Sequence, residues 1–175
     1  MSLPDDVAPL LLAIDHVGLA VPDLDAAIAF HRDVLGLALL HEESNDEQGV
    51  REAMMGPAGA PAGSAQIQLL APSTPESTIA TFLDRSGPGL QQLAYRVADV
   101  EAVSAVLRER GLRLLYDAPR RGTGGSRINF VHPKDAGGVL VELVEPPAGG
   151  TGHDAVAGAA GHDAVAGSTD TPPHG

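Results

Sequence analysis

Residues 13–21 read Ala13-Ile14-Asp15-His16-Val17-Gly18-Leu19-Ala20-Val21, and their alternation decides the fold. Asp15, Val17, Leu19 and Val21 point to one side; His16, Gly18 and Ala20 point to the other. A period of two is the signature of a β-strand. Val17, Leu19 and Val21 suit a face packed against a helix. His16 is left on the opposite face between small neighbours, where a ligand can approach it.

The pattern returns 76 residues later in Leu90-Gln91-Gln92-Leu93-Ala94-Tyr95-Arg96-Val97. Leu93, Tyr95 and Val97 repeat the packed face, and Gln92 falls where His16 stood. Both runs lead into helix starts, Pro22-Asp23-Leu24 in one and Ala98-Asp99-Val100 in the other. The strand ends correspond as well. Gln68-Leu69-Leu70-Ala71-Pro72 matches Glu142-Leu143-Val144-Glu145-Pro146 at an offset of 74, so Gln68 corresponds to Glu142. Each half reads as strand, helix, then three strands. One such half would leave much of its core exposed, so an α+β fold is expected, with two paired βαβββ modules sharing a curved mixed sheet or cleft.

The boundaries follow. Residues 1–12 form a lead-in, 13–72 the first module, 73–89 a connection, 90–147 the second module and 148–175 a tail. In the first module Asp23 or Asp25 caps a helix with Leu24, Ile28, Val34 and Leu35 as its stripe, ended by Gly36. Strands follow at 37–43, 50–55 and 65–70. In the connection, Pro75 and Glu76 open a short helix through Ile79, Phe82 and Leu83. The second module has a helix over 99–110 and strands at 112–116, 126–132 and 138–144. The tail repeats Gly-His-Asp-Ala-Val-Ala-Gly at 152–158 and 161–167, offers no large side chains to bury and reads as disordered. Its His153, His162 and His174 read as spectators.

Composition narrows the function classes. With 11 basic and 23 acidic residues the net charge is -12, which opposes nucleic acid and anionic membranes as partners. Zero Cys removes disulfides and thiolate chemistry. The acidic start Met1–Asp6 lacks the basic opening of a signal peptide, and the apolar run 7–14 is too short to span a bilayer, so a cytoplasmic location is the expectation.

Four equivalent strand positions emerge from the repeat: His16, Gln68, Gln92 and Glu142. One imidazole, one carboxylate and two amides form a donor set for a divalent first-row ion with open positions, and a poor one for a closed structural zinc site. Each also has a plainer reading, His16 as a hydrogen-bonded strand residue and the glutamines as sheet surface. Glu142, between Val141 and Leu143, needs a partner if buried; a metal, Arg96 or Arg127 would serve. Glu52 is either a buried base or an exposed acid paired with Arg51. Arg120, Arg121, Arg127 and Lys134 gather positive charge in an acidic chain beside Gly122, Gly124 and Gly125. That composition suits a phosphate-bearing ligand or a solvated turn.

Several stretches together carry a resemblance: Ile14-Asp15-His16-Val17, Glu47-Gln48-Gly49-Val50-Arg51-Glu52, Gln66-Ile67-Gln68-Leu69-Leu70-Ala71-Pro72, Leu114-Leu115-Tyr116-Asp117, Gly122-Thr123-Gly124-Gly125-Ser126-Arg127-Ile128-Asn129-Phe130, and His132-Pro133-Lys134 leading to Gly138–Leu143. Over residues 12–147 the chain resembles the methylmalonyl-CoA epimerases of the glyoxalase / vicinal-oxygen-chelate superfamily. The resemblance implies paired modules curled around a metal site, usually in a homodimer. It implies interconversion of (2R)- and (2S)-methylmalonyl-CoA with a divalent ion, commonly cobalt in assays. It places ligands at His16, Gln68, Gln92 and Glu142, the base at Glu52, and Glu142 as the usual candidate for the opposite face. Arg120, Arg121, Arg127 and Lys134 would then anchor CoA phosphates. One position departs: the third ligand is usually His and is Gln92 here, a weaker donor than imidazole. The same superfamily holds lyases or isomerases of glutathione adducts, dioxygenases and non-catalytic small-molecule binders, and these are the alternative functions.

Overall fold

The computed structural model describes residues 7–46 and 48–148. The tail read over 148–175 therefore falls outside the described residues from 149 onward, as do Glu47 and the first six residues of the lead-in.

One sheet of eight strands organises the described residues. In chain order its strands are β1 (Leu11–Ala20), β2 (Ala38–Asn45), β3 (Val50–Gly56), β4 (Gln66–Pro72), β5 (Gly89–Val97), β6 (Arg120–Arg121), β7 (Arg127–Val131) and β8 (Leu140–Glu145). They lie side by side as β2-β3-β4-β1-β5-β8-β7-β6. Each module contributes half. β1 pairs with β4 in parallel, β5 pairs with β8 in parallel, and the halves meet where β1 runs antiparallel to β5. The sequence offsets survive as register. Gln66 lies beside His16, and Leu140 beside Gln92. The sheet is mixed, as the repeat requires.

Helices α1 (Leu24–Asp33), α2 (Thr78–Ser86) and α3 (Val100–Glu109) complete the fold. The caps repeat with the modules: Asp23 accepts from the Ala26 N–H at 2.9 Å, and Asp99 accepts from the Ala102 N–H at 2.9 Å. α1 lays Leu24 and Ile28 on Ala53, Met55, Leu69 and Ala71. α3 lays Val100 and Val103 on Val97, Val131 and Leu143. Both helices cover one face of the sheet. The opposite face is left to Glu52, Gln68, Gln92 and Glu142, at the intervening strand positions.

Three sequence expectations change. Val34 and Leu35, read as part of the first helix's apolar stripe, lie past its end at Asp33 and are exposed. The strand at 112–116 reduces to a single bridge between Leu114 and Val131. Beyond it the Asn129 side chain takes over from the backbone ladder, accepting from the Tyr116 N–H at 3.2 Å and donating to its carbonyl at 3.0 Å, while Arg108 also donates to that carbonyl. The connecting helix begins after Pro75 and Glu76, because the Ser77 hydroxyl, accepting from the Ala80 N–H at 3.1 Å, makes a better cap.

Gly18 sits beside Gln68 on β4 and Gln92 on β5. A Cβ there would stand 2.4 Å from Gln92 Cγ and 3.3 Å from Leu70 Cδ1. Glycine is the residue that lets β1 run this close to the two glutamines. Gly18→Ala is expected to displace Gln92 and destabilise the fold by about 1–3 kcal/mol. The shift of the urea unfolding midpoint measures it, and an unchanged midpoint would contradict the packing described.

Candidate active site

The antiparallel β1–β5 contact brings His16 against the second module. His16 Nε2 is 3.1 Å from Glu142 Oε2 and 3.3 Å from Gln92 Nε2. Gln92 Nε2 donates to Glu142 Oε2 at 2.7 Å and to Gln68 Oε1 at 3.0 Å. The four residues predicted from the repeat therefore meet, all with at most 6 % of their surface exposed. Neither Arg96 nor Arg127 supplies the partner that Glu142 needs. Arg96 is bonded to Asp15, and Arg127 pairs with Glu101 and Glu145.

Three acceptor-capable atoms, His16 Nε2, Glu142 Oε2 and Gln68 Oε1, surround the Gln92 amide nitrogen, which has only two hydrogens to give. A cation at that centre would satisfy all three. The imidazole is also set for it. Nδ1 lies 2.9 Å from Asp15 Oδ1, and Arg96 Nε holds the other oxygen of Asp15 at 2.8 Å. A carboxylate bound at Nδ1 fixes the proton there and turns the lone pair of Nε2 toward the centre. Among the described residues no three His, Cys, Asp or Glu side chains group as metal ligands. The set fits an ion that accepts amide oxygen, with Gln92 turning its own oxygen inward.

Without an ion the charges settle differently. Burial pushes the His16 imidazolium down, but the bonds and charges of Asp15 and Glu142 outweigh it and lift the group to about 9. Burial likewise raises Asp15, and its bonds to His16 and Arg96 carry it below the ordinary carboxylate value.

Glu52 projects from β3 into the same cavity, which holds about 140 Å³ and is walled further by Leu70, Ile128 and Phe130. Its Oε2 accepts from Gln68 Nε2 at 3.0 Å, and its Oε1 accepts from the Thr123 hydroxyl at 2.6 Å. Burial drives the Glu52 carboxyl up to about 7, with Glu43 and Glu142 adding to the rise and the Thr123 bond opposing it. Glu52 is therefore buried and is not the exposed partner of Arg51. Arg51 instead points away to Asp25 and Glu42.

The four cations do not form one patch. Arg120 lies 4.1 Å above the Tyr116 ring, and Arg121 lines a neighbouring depression with Glu43, Ser44, Asn45, Asp46 and Gly122. Arg127 is balanced by its two glutamates, and Lys134 stands exposed past the end of β7 opposite the one that pairs with Arg120 and Arg121.

Asp15 and Thr123 were missed as site residues. Strict alternation puts Asp15 opposite His16. The β1–β5 ladder, however, shifts register between Ile14 and His16, so alternation fails at that point. Thr123 lies in a Gly-rich turn, and nothing in that turn signals a contact with β3, 71 residues away.

Residues 15–130 match the Glyoxalase/Bleomycin resistance protein/Dioxygenase superfamily. The chain belongs to this superfamily. A similar member is a methylmalonyl-CoA epimerase from Mycobacterium tuberculosis, 55 % identical, with a crystal structure that superposes at a TM-score of 0.75 over 84 % of this chain and 93 % of that one. A second structure, 46 % identical with a TM-score of 0.75 and covering 80 % and 98 % of the two chains, is a methylmalonyl-CoA epimerase in complex with methylmalonyl-CoA and NH4+. The ethylmalonyl-CoA/methylmalonyl-CoA epimerase of Cereibacter sphaeroides is 36 % identical over 132 residues, 74 % of this chain and 95 % of that protein.

Because Glu52 is raised, the ion-free folded state holds its proton between about pH 4.5 and 7, where the unfolded chain has lost it. Stability from this group therefore falls as pH rises through that window. Glu52→Gln is expected to be more stable than the parent above pH 7 by about 3 kcal/mol, with the gap closing near pH 4.5. Urea unfolding at the two pH values checks this.

Proposed function

We propose that this chain is a methylmalonyl-CoA epimerase, with Glu52 and Glu142 facing a substrate held at the centre between His16, Gln68, Gln92 and Glu142. The observation that carries the reading is the placing of a buried carboxyl, Glu52, beside that converging donor set in one cavity. Three similar proteins bear the same activity in their names.

The substrate's C2–H lies between a carboxylate and a thioester carbonyl, so its loss leaves an enolate. His16, Gln68, Gln92 and Glu142 would hold a divalent ion, which when bound supplies Lewis-acid stabilisation of charge on oxygen. Glu52 takes or returns the C2 proton on one face. Its two oxygens are fixed by Gln68 and Thr123, so the base is aimed before substrate arrives. A pKa raised toward 7 leaves it able both to accept and to release a proton near neutral pH. Glu142 is the candidate on the opposite face. Its Oε2 already serves His16 and Gln92, which weakens it as a base. Ile128 and Phe130 wall the cavity with apolar surface, which favours the delocalised enolate over bulk hydration.

Arg120 and Arg121 are the residues for the CoA phosphates, since Arg120 lies over Tyr116, which walls the cavity, and Arg121 lines the adjoining depression beside Gly122. Arg127 and Lys134 are set aside from that role on their positions. A homodimer is the assembly that fits the exposed apolar side chains Phe30, Val34, Leu35 and Leu39 around the end of α1 and the start of β2. No helix of the described residues is long and apolar enough to cross a membrane, and a cytoplasmic site of action is proposed with it.

Glu52→Gln, with the donor set intact, is expected to lose at least about 1,000-fold in kcat while binding cobalt as the parent does. Epimerisation followed by chiral analysis, beside a cobalt titration, reads both. Full activity in this variant would remove Glu52 from the reaction. Asp15→Asn should weaken cobalt binding about 10–100-fold by releasing the His16 ring, with activity restored at high metal.

A further inference from the structure

Glu52 has a carboxylate neighbour that the reaction as described does not use. Glu43 stands directly across from it in the β2–β3 ladder, which sets the two carboxyl side chains on the same face of the sheet as nearest cross-strand neighbours. Glu43 Oε2 is 2.7 Å from His41 Nε2 and accepts from the Gly124 N–H at 3.4 Å. β2 is the outer strand of its half-sheet, so this line of groups runs from the interior to the edge. Exposure rises along it. Glu52 is 6 % exposed, and the side chains of Glu43 and His41 are 28 % and 34 % exposed. Glu52 lines the reaction cavity. Glu43 lines the adjoining depression of about 500 Å³, and Asn45 and Gly122 border both.

A two-sided proton transfer leaves the protein altered. After one conversion Glu52 holds the proton it removed, and the group on the other face has lost one. A second conversion in the same direction requires Glu52 to discharge. The cavity mouth is where the CoA thioester would sit, so a route through it closes whenever substrate is bound. We propose that Glu43, backed by His41, is a positioning residue that connects Glu52 to solvent by a side exit, through which the substrate-derived proton leaves. This rests on the reading of Glu52 as the base.

The steps balance. The C2–H bond breaks, its electron pair stays in the enolate, and the proton forms an O–H bond on Glu52. That O–H bond breaks as the proton passes to the Glu43 carboxylate, which restores the Glu52 carboxylate. Glu43 then yields the proton to neutral His41 or to water in the outer depression. Nothing is oxidised or reduced.

The test follows deuterium into substrate that has not yet been converted. The holoenzyme, in D2O with cobalt, is given each isomer of methylmalonyl-CoA separately. The reaction is stopped early, and deuterium at C2 is measured in the recovered starting isomer. For the isomer that Glu52 deprotonates, return of the enolate to substrate reports whether Glu52 has exchanged its proton. Glu43→Gln keeps acceptors for Gly124 and His41 but cannot take a proton. We expect deuterium in the recovered substrate to fall about fivefold or more, kcat to fall more than kcat/KM, and added formate or imidazole to restore both. His41→Asn, at the exposed edge and outside the carboxyl pair, should shift exchange the same way by a smaller factor. Unchanged exchange in both variants overturns the proposal. So does an equal loss of kcat and kcat/KM in Glu43→Gln with exchange unmoved and no rescue, the signature of a structural role. A parent enzyme that exchanges no deuterium at C2 of either isomer would instead defeat the epimerase reading. A Glu52→Gln variant that exchanges normally would defeat the base assignment.

Discussion

The structure depends on the antiparallel contact between β1 and β5. Neither half-sheet closes a site alone, because the first module holds His16 and Gln68 and the second holds Gln92 and Glu142. Bringing β1 beside β5 joins the halves and sets His16 against Glu142 in one step. The contact also makes the burial of four polar side chains tolerable. A buried carboxylate without a partner is costly by several kcal/mol, and Glu142 finds both an imidazole and an amide across the joint. Gly18 is the concession that permits it, since a larger residue would push Gln92 off the centre.

Around this joint the charges are arranged in layers. Arg96 holds Asp15, Asp15 holds the His16 ring, and His16 faces the centre. On the other side Thr123 and Gln68 hold Glu52, and Glu43 faces it from the strand edge. Each inner group has its rotamer fixed by an outer one. The outer groups on the Glu52 side come from both modules, so the Gly-rich turn of the second half is tied to β3 and β2 of the first.

Much of this was legible in the sequence because the repeat carries register. His16, Gln68, Gln92 and Glu142 occupy equivalent strand positions, and equivalence in a duplicated fold becomes proximity when the copies pair. Glu52 was legible as an acid sharing a strand face with Val50 and Met54, away from Arg51. What alternation could not show was its own breakdown. The irregularity between Ile14 and His16 brings Asp15 to the imidazole. Nor could composition tell a cluster of cations in sequence from a patch in space. Arg127 is consumed by Glu101 and Glu145, and β7 separates Lys134 from Arg120 and Arg121. The contact between Thr123 and Glu52 depends on how a turn folds over a neighbouring module, and local pattern holds no record of that.

The doubling of the module is not carried through at one place. By the ladders of β3 with β4 and of β7 with β8, the counterpart of Glu52 is Ile128: Glu52 lies beside Leu70, and Ile128 lies beside Val144. A perfectly duplicated pocket would present halves related by a two-fold rotation to whatever it held, with an acid on each. Here Glu52 brings a carboxyl to one wall and its counterpart Ile128 brings hydrocarbon to the other, so the second carboxyl of the cavity, Glu142, comes from a different strand position. A flat, nearly symmetric molecule lying between them would meet the Glu52 carboxyl on one side and Ile128 on the other, although the scaffold is close to two-fold. One substitution at a duplicated site is enough to give a two-fold frame two unlike walls.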